Sequence, residues 1–317
     1  MSRGEAFITG LGMSEVGVRL NRSPLGLTLD AVREAIADAG LELSQIDGVA
    51  TYPGKMQMFL GFSPIGADEL IEALGLQTRW HIGAAEMTAQ LGAIAEAAMA
   101  VKTGAARHVR CFRTVYEAAA LARPEEFPPL NRSAGVTGNS QWVSPFGAFS
   151  AANWTAQFAT RHMRRYGLTR EQLAQVVLND HANAALNPRA IVKKPLMLDE
   201  YMAARMISTP FCLYDCDRFT DCSTVVIVSA GEALDEVKTT PIRIAATRLQ
   251  WGNDDPTPRW LRALTSSPGN RCTLCALRQE AHAEEVAAII AGFIGVPVQR
   301  ETILGIRRAP THPSTRP

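Results

Sequence analysis

Thr224-Val225-Val226-Ile227-Val228 is an unbroken run of β-branched residues, apolar from Val225 onward. A strand that is apolar on both faces has to be covered on both faces. The run therefore reads as a central strand between layers of helix. Working outward, residues 6–12 (Ala-Phe-Ile-Thr-Gly-Leu-Gly) form a second short apolar run closed by glycines. In residues 28–40, Leu29, Val32, Ile36 and Ala39 recur at helical spacing, and Gly40 supplies the stop. Residues 46–52 read as a strand and 68–75 as a short helix. Residues 88–103 predict a long helix striped by Leu91, Ile94, Ala95, Ala98 and Val101, whose small side chains invite close packing. Residues 108–112 predict another strand, 150–167 and 169–186 two helices, 200–206 a shorter helix, and 240–246 a further strand. Strands alternating with helices argue for an α/β fold with a mixed sheet covered on both sides.

Composition narrows the function classes. Among 317 residues, 32 Lys and Arg balance 31 Asp and Glu, for a net charge of +1. No global field draws nucleic acid or an anionic membrane. The basic cluster Arg161, Arg164, Arg165 reads as a solvated helix face. No apolar run reaches the ~18 residues of a membrane span, and no signal-peptide pattern precedes the first strand. A cytoplasmic protein is the expectation. The six cysteines, Cys111, Cys212, Cys216, Cys222, Cys272 and Cys275, then read as free thiols. Cys272-Thr273-Leu274-Cys275 is a lone Cys-x-x-Cys. Zinc needs two more ligands, and His282 is the sole nearby candidate, so no metal site is expected.

Several co-linear segments carry a family likeness. They are Ala37-Asp38-Ala39-Gly40-Leu41 followed by Ile46-Asp47-Gly48-Val49, and the helix closing on Ala100-Val101-Lys102-Thr103-Gly104. The most specific stretch runs from Tyr166-Gly167-Leu168-Thr169 through Asn187-Pro188-Arg189-Ala190 and Arg205-Met206-Ile207-Ser208-Thr209-Pro210 to Leu213-Tyr214-Asp215-Cys216. Over about residues 5–247 the chain resembles the thiolase superfamily, in its lipid-transfer-protein-like branch of sterol-carrier-type thiolases and acetyl-CoA acetyltransferase-like proteins. Thr220-Asp221-Cys222-Ser223 stands where relatives usually carry Asp-Gly-Ala.

The resemblance implies a layered αβαβα sandwich of two similar halves, usually a homodimer, acting on acyl-CoA with coenzyme A as part of the substrate and no separate cofactor. It implies residues 1–238 as an N-terminal thiolase-like domain and 239–300 as a partial C-terminal region, while the basic, proline-rich end reads by composition as a disordered tail over 301–317. The expected fold is thus the first half plus a fragment of the second.

A thiolase keeps its nucleophilic cysteine at the N-terminus of a buried helix, where the dipole and free N–H groups stabilise a thiolate. Counting back from Gly104 places Met87 there, between Glu86 and Thr88. Methionine forms no acyl-enzyme. Thr88 fits a helix N-cap. Glu86 fits either a base in a dry pocket or a first-turn acid. The family's second-half groups, such as a histidine in Gly-His-Pro, have no match; His312-Pro313 lacks the glycine.

Classical thiolysis is therefore not expected. Relatives in steroid side-chain degradation that lack the cysteine act as retro-aldolases with a small zinc-binding OB-fold partner, using tyrosines from the second half. The resemblance thus leaves two readings. One is acyltransferase-type chemistry or cleavage of a β-hydroxyacyl-CoA. The other is a non-catalytic acyl-CoA or lipid binder, an inactive subunit. The long irregular stretch of residues 122–149 corresponds to a pocket-shaping insertion, with Phe146, Phe149, Asn153 and Trp154 as candidate lining residues. Tyr201, Arg205 and Asp215 are expected to hold the loop before the last strand. Cys216 and Cys222 are expected as buried structural thiols, and His81 and His162 as satisfied structural histidines.

Overall fold

The computed structural model describes residues 4–56, 60–83, 89–126, 144–148, 150–251 and 270–276. The elements of the core are β1 (Ala6–Met13), α1 (Pro24–Ala39), β2 (Gly48–Thr51), α2 (Ala67–Leu74), β3 (Trp80–Gly83), α3 (Ala89–Thr103), β4 (His108–Tyr116) and α4 (Glu117–Ala122). A peripheral section follows: α5 (Ala151–Tyr166), α6 (Arg170–Leu186), α7 (Leu198–Met202) and the small hairpin β5 (Met206–Ser208) and β6 (Phe211–Cys212). The chain then returns through β7 (Asp221–Ala230), β8 (Ile242–Trp251) and β9 (Asn270–Ala276).

Seven strands form one sheet in the order β3-β2-β4-β7-β1-β8-β9. β2 is parallel to β3 and β4, and the other neighbouring pairs are antiparallel. The apolar run of β7 is central, as its composition demands. Val225 and Ile227 pack with Val49, Phe112 and the Ala31, Val32, Ala35, Ala39 stripe of α1. Val226 and Val228 face the other way, onto Ala93, Ile94, Ala97 and Ala98 of α3.

Local chemistry starts and stops the helices. Ser23 caps α1, its hydroxyl accepting from Gly26 N–H at 3.0 Å, with Pro24 in the first turn. Gly40 ends it at φ 68°, the left-handed region where glycine pays no steric cost. Thr169 caps α6 in the same way through Gln172 N–H at 3.3 Å.

Two carboxylates, one buried and one partly exposed, tie the sheet's ends. Asp221, fully buried, accepts from Leu20 N–H (2.9 Å) and Ala119 N–H (3.0 Å), which fixes the chain on both sides of β7's start. At the opposite end of β4, Glu236 accepts from Gln45 Nε2 (2.9 Å) and Arg107 Nε (2.7 Å) and meets His108 Nε2 at 3.1 Å. Those donors hold its carboxyl down to about 2.

The structure departs from the sequence reading in several places. The helix expected over 200–206 covers Leu198–Met202, and Met206 already belongs to the β5–β6 hairpin, where it pairs with Cys212. β3 is four residues long and half-buried in alternation, too short a pattern to signal a strand. α4 follows β4 with no breaker between them, in a run that the sequence pattern leaves unassigned between the strand and the irregular stretch of residues 122–149. The expected tail 301–317 lies outside the described residues. β8 joins β1 through Ile8↔Ile242 and Phe7↔Arg243, continuing the same sheet. Tyr201, Arg205 and Asp215 do hold the loop: Tyr201 Oη donates to Asp215 at 2.7 Å, and Leu213 N–H to Arg205 O at 2.9 Å. His81 and His162 are exposed rather than enclosed, and Cys216 and Cys222 are only half-buried.

α1 lies unusually close to β1. A Cβ on Gly12 would fall 2.0 Å from Ala31 O and 2.4 Å from Ala35 N, both rigid helix backbone. Gly12→Ala is expected to lift α1 off the sheet and cost about 3 kcal/mol, read as a lower urea midpoint with m unchanged.

Candidate functional site

In sheets with parallel strands, ligands gather beyond the carboxyl ends of those strands. Here β2 and β3 end together at Thr51 and Gly83, level with Phe112, and β4 runs four residues further to Tyr116, opposite which β7 begins with the pair Tyr116↔Asp221. α3 links β3 to β4, so it enters its layer from this same edge. Glu86, Met87 and Thr88, the residues at the expected nucleophile position, precede the first described turn of α3 and lie outside the described residues.

Arg113 is the centre of the edge. It alternates with Cys111 on β4 and so faces the α3 layer, yet it is 6% exposed. Its Nη1 donates to Tyr52 O at 3.1 Å, and its guanidinium carbon lies 4.3 Å from the centre of the Phe62 ring. Its Nε has no hydrogen-bond partner among the described residues. Burial draws this guanidinium down to about 10, against the pull of the neighbouring Glu117 charge.

Glu117 opens α4, one residue past the end of β4. Its N–H donates to Thr220 O at 3.2 Å, which anchors the backbone. Its half-buried carboxyl accepts no hydrogen bond among the described residues. Burial is the main cause that pushes this carboxyl up to about 7, followed by the nearby Asp217 charge, while Arg113 opposes. A carboxyl in that state exchanges a proton near neutrality.

The thiols do not offer a nucleophile. Cys222 pairs across from Val115 on the Arg113 side of the sheet, and burial pushes it up to about 11. Cys111 is fully buried with its Sγ 3.6 Å from Ala93 O, and burial raises it further. Both are protonated at neutral pH, and a thiol attacks as its thiolate. A second buried arginine, Arg110, is on the opposite face of β4, between Val49 and Ile227, and belongs to the helix-covered core.

The residues expected to line a pocket have local roles. Phe146 ends a 3-10 turn and is 85% exposed. Asn153 Oδ1 accepts from Ser150 N–H (3.1 Å) and Ser150 Oγ (2.9 Å), closing the first turn of α5. Trp154 Nε1 donates to Ala148 O at 2.8 Å. Phe149 lies outside the described residues. Sequence reading missed Arg113 and Glu117. The available signal was an arginine inside a strand-forming run and an acid at its junction with a helix.

No protein-family profile matches the chain. A steroid side-chain-cleaving aldolase from Thermomonospora curvata is 33% identical over 231 residues, 72% of this chain and 58% of that protein. A solved structure described as an Ltp2-ChsH2(DUF35) aldolase superposes with a TM-score of 0.68 at 27% identity, covering 92% of this chain and 70% of that one. This chain is a thiolase-like protein.

Other relatives of the thiolase-like protein agree. The 17-hydroxy-3-oxo-4-pregnene-20-carboxyl-CoA lyase of Mycobacterium tuberculosis is 29% identical over 248 residues, 78% of this chain and 63% of the lyase. An SCP2-thiolase-like protein from Mycobacterium smegmatis shares the fold with a TM-score of 0.59 at 13% identity, over 80% of this chain and 53% of that one. The thiolase-like protein thus spans about three-fifths of the curated relatives it matches. Among the described residues no helix is long and apolar enough to cross a membrane.

The raised carboxyl has a consequence for stability. Folded Glu117 keeps its proton to higher pH than the unfolded chain does, so protonation favours the folded state. Stability from this group is present below about 4.5 and is lost as pH climbs to about 7. Glu117→Gln cannot ionise, so it is expected to flatten that decline. Melting curves from pH 5 to pH 8 check this, and an unchanged slope would count against the raised carboxyl.

Proposed function

We propose that the protein acts on an acyl-CoA thioester by cleaving the carbon–carbon bond of a β-hydroxyacyl-CoA, in lipid or steroid side-chain degradation. The observation that carries this reading is the site's chemistry. It offers a carboxyl poised near neutrality beside a buried guanidinium, while both nearby thiols stay protonated. Acyl transfer needs a nucleophile; retro-aldol cleavage needs a group that takes a proton from a hydroxyl. The aldolase and lyase named above support the same choice. Met87 at the nucleophile position, from the helix-length count, points the same way.

Coenzyme A enters as part of the substrate, with no further cofactor. The chain works in the cytoplasm with a DUF35-type, zinc-binding OB-fold protein as partner, by analogy with the Ltp2-ChsH2(DUF35) aldolase. A second reading is an acyl-CoA-binding subunit without activity of its own, favoured by Met87 at the expected nucleophile position, where methionine forms no acyl-enzyme.

Incubating the purified chain with a β-hydroxyacyl-CoA, with and without the partner, separates the two. Release of a ketone and a shortened acyl-CoA is the expected outcome. Binding without turnover in every combination sinks the enzyme reading. A homodimer is also proposed. β3 is the edge of the sheet, and a half-exposed edge strand is a template for pairing with a second copy. Sedimentation at micromolar concentration is expected to show a dimer, and a stable monomer would refute it.

A further inference from the structure

Thr9, Ser229 and His108 form a hydrogen-bonded chain inside the sheet that ends on Glu236. Thr9 Oγ1 lies 2.6 Å from Ser229 Oγ, Ser229 Oγ 2.8 Å from His108 Nδ1, and His108 Nε2 3.1 Å from Glu236 Oε2. Ser229 and His108 are fully buried, and Thr9 is nearly so. We propose that this chain is an acid switch: proton uptake by His108 reverses it and opens the segment of residues 231–241 that joins β7 to β8. The switch is independent of the reaction proposed above.

Glu236 fixes the direction of each hydrogen bond at neutral pH. Its donors, Arg107 first, hold that carboxyl down to about 2, so it is ionised and can only accept. His108 Nε2 must then carry the ring hydrogen, which leaves Nδ1 bare. A bare ring nitrogen accepts, so Ser229 Oγ–H donates to it. Ser229 Oγ in turn accepts from Thr9 Oγ1–H. The chain is satisfied from end to end with the ring uncharged.

A proton from solvent that adds to the Nδ1 lone pair makes this nitrogen a donor. Ser229 then has to turn its hydrogen to Thr9, and Thr9 its own to Ile227 O. That last contact is 3.5 Å, against about 2.7–2.8 Å for a good O–H···O bond. Reversal therefore replaces a sound bond by a poor one and buries a cation. Burial is the main cause that lowers His108 from its ordinary range; the Glu236 and Asp47 charges oppose it, and Arg107 reinforces it. Asp47 is already engaged by the Arg107 and His108 N–H groups at 2.7 and 3.0 Å. Arg110, two residues along the same face of β4, is a second fully buried cation. Glu232 and Asp235 act on Arg107. From the other elements on this side come Thr9 of β1 and the apolar Ala31, Val32, Ala35, Ala39 stripe of α1.

The segment after β7 is tied down at this end of the sheet. Glu236 reaches the Arg107 and His108 side chains. Ala230 N–H donates to Arg107 O at 2.9 Å, Lys238 N–H to Ala39 O at 2.9 Å, and Thr239 Oγ1 to Thr9 O at 2.6 Å. Folded His108 takes a proton less readily than it does once the segment opens. Stability from this group is fully present above about 6.5 and is lost as pH falls through the folded value. That direction is the reverse of the one set by Glu117.

The test is amide hydrogen exchange of the full chain from pH 5 to pH 8, corrected for intrinsic rates. Opening at the Ala230, Gly231 and Lys238 amides is expected to rise relative to the amides of α1 as pH falls below about 6.5. The rise reaches at most about tenfold per pH unit, the limit for one proton. His108→Gln keeps a donor for Glu236 and takes up no proton, so the rise is expected to vanish. A flat wild-type profile at these three amides overturns the switch, and so does an H108Q variant that keeps the rise. Ring-nitrogen NMR on histidine-labelled wild type needs no variant. It is expected to show the hydrogen on Nε2 at pH 8 and a midpoint below 6.5. A hydrogen on Nδ1, or a midpoint at or above 6.5, overturns the switch even if H108Q fails to fold.

Discussion

The antiparallel ladder between β4 and β7 is the constraint on which the rest depends. It runs in unbroken register from His108↔Ser229 to Tyr116↔Asp221. Because strand residues alternate faces, that register decides which side chains reach α1 and which reach α3. Phe112, Val225 and Ile227 go one way; Cys111, Val226 and Val228 go the other. A slip of one residue would put Arg113 among the helix-facing apolar residues beneath α1. It would also carry the Asp221 carboxylate away from the Leu20 and Ala119 amides that donate to it.

Two glutamates at the ends of β4 show how one side chain serves opposite purposes. Glu236 is surrounded by donors from Gln45, Arg107 and His108, and its carboxyl is held down to about 2. It is a clasp, ionised across the physiological range. Glu117 has burial and acidic neighbours but no donor among the described residues, and it is pushed up to about 7. Depth and hydrogen bonding both separate them: burial is the main cause that raises Glu117 and no donor opposes it, while donors around the more open Glu236 stabilise its charged form. Carboxyls separated in this way mark where proton chemistry is affordable.

The cysteines give a complementary contrast. A thiolate needs a helix N-terminus, a cation or a metal to stabilise it. Cys222 has Arg113 nearby, but burial outweighs that charge and the thiol stays high. Cys111 is enclosed by the alanines of α3. Among the described residues, neither Cys111 nor Cys222 is held as a thiolate.

The amino-acid sequence by itself determined the α/β class, the central position of β7, the helices α1, α5 and α6, and the likeness to thiolases. These follow from local signals: β-branched runs, 3.6-residue periodicity, Ser and Thr caps, glycine stops. The length of β4, the four-residue edge strand β3 and the immediate turn into α4 were not legible, because each is decided by what packs against it. The same holds for the site. Arg113 and Glu117 look like ordinary charged residues in a row. Only the tertiary structure places one beneath a sheet edge with Phe62 and Tyr52 and deprives the other of donors. Burial and the absence of a hydrogen-bond partner are properties of neighbours distant in sequence, and no local pattern encodes them.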